Sequence, residues 1–337
     1  EESMAQNTQV LIQSLPEDQL SVDNYSLENA AMPVAGDGEV LCQTLALTVG
    51  AAQRAALQGS ASYAGAPKSC VLMNGSAVSR VIESNAAGLG VGDVGTCPAG
   101  WQAYSAHGGS EVNLVPAGGD PAHNLGVLGT NGLTAYFGLL DLGQPKEGDT
   151  MLVSAAAGSV GHIVGQIAKL KGCRVVGTAG TDEKCHALID KLGFDAAVNY
   201  KDPDFRGAFK DACGGGIDIY FDNTGGDILG AALRRMKTHG RIVCCGVVSQ
   251  YDTSTPAPGP RGIPGLLVNN RVRMEGFLVF DYTDQYDDAR TTLRGWIESG
   301  ELVPLQDEFE GLESAPAAFV DMLAGGNLGT RIIRVSE

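Results

Sequence analysis

The eight cysteines stand at positions 42, 70, 97, 173, 185, 213, 244 and 245, and no two of them form a C-x-x-C pair. This spacing offers neither a disulfide framework nor a structural zinc site, and most of the cysteines read as buried thiols of a reducing cytoplasm. Histidine is also scarce, with five in the chain. His107 and His123 fall in polar stretches without a neighbouring Glu, and Cys42 has no neighbouring His, so no set of three catalytic zinc ligands assembles and no metal is expected. Positive charge is in deficit: 23 Lys and Arg against 39 Asp and Glu give a formal net charge of −16. Such a balance speaks against nucleic acid or an anionic membrane as a partner and reads as solubility. No apolar run is long and clean enough to span a bilayer, because Met151–Ala168 is interrupted by Gly, Ser, His and Gln. The first residues are acidic and polar, without a signal-peptide pattern, and Met4 reads as a start preceded by Glu1, Glu2 and Ser3. Internal repeats and low-complexity segments are absent too.

What is there centres on Thr150–Gly180, which reads strand, tight turn, helix, strand. Met151, Leu152 and Val153 form an apolar run without alternation, as in a strand covered on both faces. Val160, Ile163, Val164, Ile167 and Ala168 then recur at helical spacing, and Lys169, Lys171 and Gly172 close the helix. Between strand and helix, Ala156, Gly158 and Gly161 occupy the glycine positions of the G-x-G-x-x-G pattern, with alanine in the first place. A helix that begins directly after a buried strand aims free N–H groups and the positive end of its dipole at one spot. In this strand–turn–helix–strand context the stretch predicts a dinucleotide site, against the plainer reading of a structural turn.

Chain length, 337 residues, predicts two domains. Val10–Leu45 starts a β-rich unit, with a strong strand at Val40–Val49, a short helix or loop at Ala51–Tyr63, and consecutive strands at Gly75–Glu83, Gly92–Cys97, Trp101–Ala106 and Val112–Val115. Thr130–Leu142 is helical. Further strands are expected at Cys173–Thr178, Asp195–Tyr200, Ile217–Asp222, Arg241–Val248 and Arg273–Phe280, with helices from Thr181 to Leu192, at Ile228–Lys237 and at Asp284–Ser299. Ser254–Gly265 carries four prolines and reads as an irregular loop, a potential lid. The tail, Val303–Val335, reads strand, helix, strand and returns to the first unit. The alternation implies an α/β fold with a doubly wound parallel sheet, whose ligand lies at the carboxyl ends of its strands. An NAD enzyme usually carries Asp or Glu at the end of its second strand. Here that place holds Gly177 and Thr178, and Lys184 follows in the first turn of the next helix, a pattern that favours NADPH.

Segments such as GVLGTNGLTAYFGLLDLGQPKEGDT, VSAAAGSVGHIVGQIAKLKGCRVVGTAGTDEK, LGFDAAVNYK, YFDNTGG, RIVCCGVVSQY, RMEGFLV and AGGNLGTRI resemble the zinc-independent medium-chain dehydrogenases/reductases. The resemblance is to the branch of prostaglandin, curcumin and plant double-bond reductases, and it runs from Gly126 to the C-terminus. It implies a Rossmann NADPH-binding domain over 126–302 and a barrel-like (GroES-like) catalytic domain from 1–125 with 303–337. It implies reduction of the C=C bond of small enones and enals by NADPH. Carried over by motif, Lys184 and Tyr200 would hold the 2′-phosphate, and Ala155, Ala156, Gly158, Ser159, Val160 and Gly161 the pyrophosphate. Thr134, Gly180, Asn223, Cys245, Gly246 and Ser249 would line the cofactor cleft. Phe277, Leu278, Val279 and Asn327 would close around the nicotinamide, and Tyr251 would be the catalytic residue that assists protonation. Relatives pair a sheet edge into homodimers, for which Arg273–Phe280 is the expected edge. Where relatives carry Asp-Pro-Tyr-Met-Arg, this chain has Gly50-Ala51-Ala52-Gln53-Arg54, so the active-site tyrosine is missing and Tyr63 replaces it only if the loop folds back. A quinone reductase and a catalytically silent NADPH-binding protein are the alternatives on the same fold.

Overall fold

The computed structural model describes residues 6–336; Met4 and the three residues before it lie outside them. Six strands form one parallel sheet in the spatial order Ala196–Asn199, Arg174–Ala179, Thr150–Val153, Ile217–Asp222, Met236–Cys244, Arg273–Gly276. Chain order therefore runs outward from Thr150–Val153 in one direction, then jumps to its other side and runs outward again. The strand order reverses between Thr150–Val153 and Ile217–Asp222, where a crevice opens at the carboxyl ends of the two strands. Arg273–Gly276 is an edge, as expected, but it is shorter than the sequence suggested, since Val279–Gln285 turns into a 3-10 helix.

A second sheet is built from both ends of the chain. Gln306–Glu310 pairs with Thr330–Arg334, which lies antiparallel to Glu39–Thr48 through Ile332↔Thr48 and Ile333↔Leu47. Ala77–Ser84, Val94–Cys97 and Asn113–Leu114 continue it, and Tyr104–Gly108 pairs with the other edge of Glu39–Thr48. Trp101, fully buried, anchors the core of this unit between Tyr25 and Phe319.

Met151, Leu152 and Val153 are wholly buried, which is why they show no alternation. Helix Gly161–Leu170 follows, and every residue from Gly161 to Ala168 is buried. The apolar stripe meets the sheet. The polar pair His162 and Gln166, one turn apart, is covered instead by the returning segment 303–305. Gln166 donates to the Val303 carbonyl at 2.9 Å and accepts the Val303 N–H at 2.8 Å. His162 Nε2 accepts the Leu305 N–H at 3.2 Å.

Several boundaries differ from expectation. Helix Gly226–Leu233 ends early and strand Met236–Cys244 begins early, accommodated by His239 at φ 62° and a register shift between Ile217 and Ile219. Helix Ile263–Asn270 starts inside the proline-rich stretch, with Pro264 in its first turn, where a missing N–H costs nothing. Helix Phe205–Cys213 was not expected. His107 is not in a polar loop but in strand Tyr104–Gly108, buried with its Nε2 at 2.8 Å from Ser105 Oγ.

Candidate cofactor and substrate cleft

The turn after Thr150–Val153 supplies one wall. Ala155 takes φ 46° and Ala156 donates its N–H to the Thr178 carbonyl at 2.9 Å, so the turn is bonded to the neighbouring strand. A Cβ on Gly161 would collide with the Ala155 carbonyl oxygen, so only glycine lets the helix start this close to the turn. Gly158 is tighter than ordinary packing, with 3.2 Å from the position of a Cβ to the same oxygen. The N–H groups of Ala157, Ser159 and Val160 bond to no backbone carbonyl among the described residues. They stand just before the N-terminus of helix Gly161–Leu170, where the positive end of its dipole lies.

At the end of the next strands, Gly180, Lys184 and Tyr200 come together. The Tyr200 hydroxyl lies 3.2 Å, and Lys201 Cε 3.5 Å, from where a Gly180 Cβ would be. Lys184 sits in the first turn of helix Asp182–Leu192, which Thr181 caps through the Lys184 N–H at 3.2 Å. Burial lowers the Lys184 pKa, with further lowering by the Arg331 and Lys201 charges. Lys201 was not singled out in the sequence, although it follows Tyr200 directly. Among the described residues no carboxylate forms an ion pair with it, while its ammonium lies 5.9 Å from the Tyr200 ring.

Across the switch point, Asn223 joins the two walls. Its N–H donates to Ser154 Oγ at 3.0 Å and its side-chain amide to the Ser154 carbonyl at 2.8 Å. Beneath it Asp222, buried, accepts from the Tyr220 hydroxyl at 2.7 Å and from the Thr224 and Gly225 N–H groups at 2.9 and 2.7 Å. Burial raises its pKa against those donors. Cys245 and Gly246 donate their N–H groups to the Asp222 carbonyl, and burial, then Asp222, pushes the Cys245 thiol up to about 12, which makes it an inert wall. Ser249 Oγ donates to the Thr224 carbonyl at 2.5 Å and zips the two loops together.

The Tyr251 hydroxyl stands 3.9 Å from where a Gly246 Cβ would be, above the strand ends. Burial raises its pKa, opposed by a hydrogen bond from the Val247 backbone, and Tyr63 is among its charged-state neighbours. Tyr63 also meets Phe280 with ring centroids 6.3 Å apart. The loop thus sets Tyr63 against Phe280, within electrostatic range of Tyr251.

The remaining residues divide. Asn327, buried, donates to the Gly329 carbonyl at 2.9 Å, and the Gly329 N–H reaches the Ala157 carbonyl at 2.7 Å, so this turn lies against the glycine-rich loop. Phe277 packs on Gly138 and on Phe221. Leu278 is exposed, whereas Val279 is buried with Leu133, Phe137 and Ala289. Thr134 is half-buried on helix Thr130–Phe137. Among the described residues no group of three His, Cys, Asp or Glu side chains can hold a metal, and no helix is long and apolar enough to cross a membrane.

Two family profiles match the chain, one described as N-terminal domain of oxidoreductase over residues 8–115 and one as Zinc-binding dehydrogenase over 159–294. The NADPH-dependent curcumin reductase of Escherichia coli is 40% identical over 319 residues, spanning 93% of this chain and 92% of that protein. The chain belongs to the zinc-independent medium-chain dehydrogenases/reductases. Within that family, a 2-alkenal reductase (NADP(+)-dependent) of Nicotiana tabacum is 39% identical over 310 residues, covering 90% of this chain and 89% of that protein. The crystal structure of CurA from Vibrio vulnificus in complex with NADPH superposes with a TM-score of 0.93 at 37% identity, covering 98% of this chain and 99% of that one.

Proposed function

We propose that this chain uses NADPH to reduce the C=C bond of α,β-unsaturated ketones and aldehydes, without a metal. The observation that carries the reading is the Tyr251 hydroxyl, protonated and half-buried, standing over Gly246 at the switch point of the parallel sheet. The residues fit the cofactor: the Gly161 cradle and the free N–H groups of Ala157, Ser159 and Val160 suit a pyrophosphate, and Lys184, Lys201 and Tyr200 suit a 2′-phosphate. When bound, NADPH supplies hydride from nicotinamide C4 to the substrate β-carbon.

The chain's own residues do the rest. Asn223, Cys245, Gly246 and Ser249 wall the cleft, while Phe277 and Asn327 close its nicotinamide end. Tyr251, like any tyrosine, keeps its proton at neutral pH, and burial raises its pKa further. Its O–H donates to the enolate oxygen as charge develops there, and the α-carbon is protonated from Tyr251 or water. Tyr63 and Phe280 supply the apolar mouth.

Residues 1–125 with 303–337 serve as the substrate domain and 126–302 as the cofactor domain. A homodimer forms through the edge strand Arg273–Gly276, an arrangement favoured by the exposed Val268 and Phe280 near it. The cytoplasm is the working compartment, consistent with eight cysteines free of disulfides.

The test mixes purified protein with NADPH, or NADH as control, and a panel of enones, enals and quinones. Oxidation of NADPH with enones, with the product saturated at the C=C bond, is expected. Turnover of quinones alone would favour a quinone reductase, and tight NADPH binding without turnover a silent binding protein. Tyr251→Phe is expected to lower kcat by about 100-fold with little change in NADPH affinity.

A further inference from the structure

Residues 250–254, which carry Tyr251, are held from the opposite side of the cleft. Arg54 Nε donates to Asp252 Oδ1 at 2.7 Å, in an ion pair whose side chains are 2% and 19% exposed. Arg54 Nη2 donates to the Asp18 carbonyl at 2.7 Å. The Leu20 N–H donates to the same Asp252 oxygen at 2.6 Å. Gln58 donates to the Gln250 carbonyl at 3.1 Å and accepts the Asp252 N–H at 3.2 Å. Asp18 accepts both the N–H and the hydroxyl of Ser254, at 2.6 and 2.8 Å.

All of these partners come from the N-terminal segment and from helix Ala51–Leu57 with its C-cap, Gln58. All of them grip the residues on either side of Tyr251 rather than Tyr251 itself. The gripped segment has little internal structure: a 3-10 turn at Val248–Gln250, then Asp252 at φ 58°, in the left-handed region. A free segment of this kind would sample many backbone states, which the contacts from the opposite wall restrict. The ion pair is buried on the Arg54 side, where it is screened little, and the second Arg54 bond fixes the guanidinium orientation. Asp252 thereby receives two donors, and its left-handed backbone sets the direction in which Tyr251 leaves the turn.

We propose that Arg54 is a positioning residue: acting through Asp252, it fixes the segment that presents the Tyr251 hydroxyl above Gly246. The inference rests on the reading of Tyr251 given above. It also assigns a purpose to the helix at Ala51–Leu57 in this chain, whose start lacks the family tyrosine.

The experiment compares Arg54→Met and Arg54→Lys in two backgrounds, the unaltered chain and Tyr251→Phe, using NADPH and an enone. A displacement of the hydroxyl by about 1 Å costs on the order of 10- to 100-fold in rate. Arg54→Met is therefore expected to lower kcat by at least about tenfold, with the NADPH dissociation constant nearly unchanged. Arg54→Lys, which keeps the charge opposite Asp252, should recover part of that loss. In the Tyr251→Phe background, Arg54→Met should lower kcat no further. An equal fold-loss in both backgrounds, or an unchanged kcat for Arg54→Met, overturns the inference. A Tyr251→Phe variant that keeps full kcat fails the tyrosine reading instead, which separates the two. Should Arg54→Met not fold, Gln58→Ala removes two bonds to the same segment from a half-buried side chain. Its kcat must fall, and fall only while Tyr251 is present, for the inference to stand.

Discussion

Lys184 Nζ donates to the Gly325 carbonyl oxygen at 2.6 Å, across 141 residues of sequence. The bond joins the first turn of helix Asp182–Leu192 to the turn that carries Asn327, so the two ends of the cofactor cleft share one loop. A cation that burial and like charges have made easier to discharge gains more than a solvated one from a doubly charged phosphate. Lys184→Met is expected to weaken NADPH binding by about 10- to 100-fold and NADH binding by about twofold at most. Lys201→Met should act in the same direction and less. Fluorescence titration with both nucleotides checks this, and equal losses for the two would remove Lys184 from phosphate recognition.

His162 is a neutral imidazole with a fixed tautomer. Nε2 accepts the Leu305 N–H, so the proton sits on Nδ1, which donates to the Gly158 carbonyl at 2.8 Å. Complete burial pushes its pKa down to about 4, against a value near 6.5 in an unfolded chain. The unfolded state therefore binds the extra proton first as pH falls. The penalty is absent above pH ~6.5, grows as pH drops toward 4, and reaches roughly 3 kcal/mol. His162→Gln, which keeps a donor and an acceptor, should flatten that part of the stability curve. Urea midpoints measured from pH 7 to 4.5 would show it, and parallel curves for the two proteins would refute it.

Gly161→Ala tests the cradle. The added Cβ meets the Ala155 carbonyl and the Ala156 backbone, neither of which can rotate aside. The turn must move, at about 1–3 kcal/mol, and the free N–H groups move with it. NADPH affinity is expected to drop by at least about tenfold, while the thermal midpoint moves by a few degrees. Gly148→Ala offers a contrast, since nothing lies within 4 Å of its Cβ position and only its φ of 83° opposes the change.

Much of this was legible because local signals agreed with the global fold. The run Met151–Val153, the small-residue turn and the helix stripe at Ile163, Val164 and Ile167 each pointed to one βαβ unit, and the Thr181 cap and the Gly193 stop stand as read. Helix Phe205–Cys213 carried its own signal in the spacing of Phe205, Phe209 and Cys213, hidden by flanking Asp and Gly residues. Helix Ile263–Asn270 was hidden by Pro264, a residue that ends a helix in its interior but suits its first turn. Lys201 became visible only when two parallel strands placed their ends side by side. The burial of His162 and Gln166 depends on a segment about 140 residues away, which no local pattern reports.

Tyr63 is the residue whose place depended wholly on a loop. It is 55% exposed and leans on Phe280, itself 55% exposed, with Tyr251 as a neighbour. Two exposed rings at a cleft mouth have area to offer a flat, apolar substrate and little to offer a small one. Tyr63→Ala is therefore expected to raise KM for an aryl enone by about tenfold, as loss of one aromatic contact of about 0.5–1.5 kcal/mol plus its buried area would do. For a short alkenal the change should stay within about twofold, and kcat should hold for both, because Tyr63 is set to bind the substrate rather than to move its proton. Steady-state kinetics on the two substrates decides the matter: a fall in kcat with KM unchanged would place Tyr63 in the protonation step instead and give this chain a working tyrosine in place of the one missing from its Gly50–Arg54 stretch.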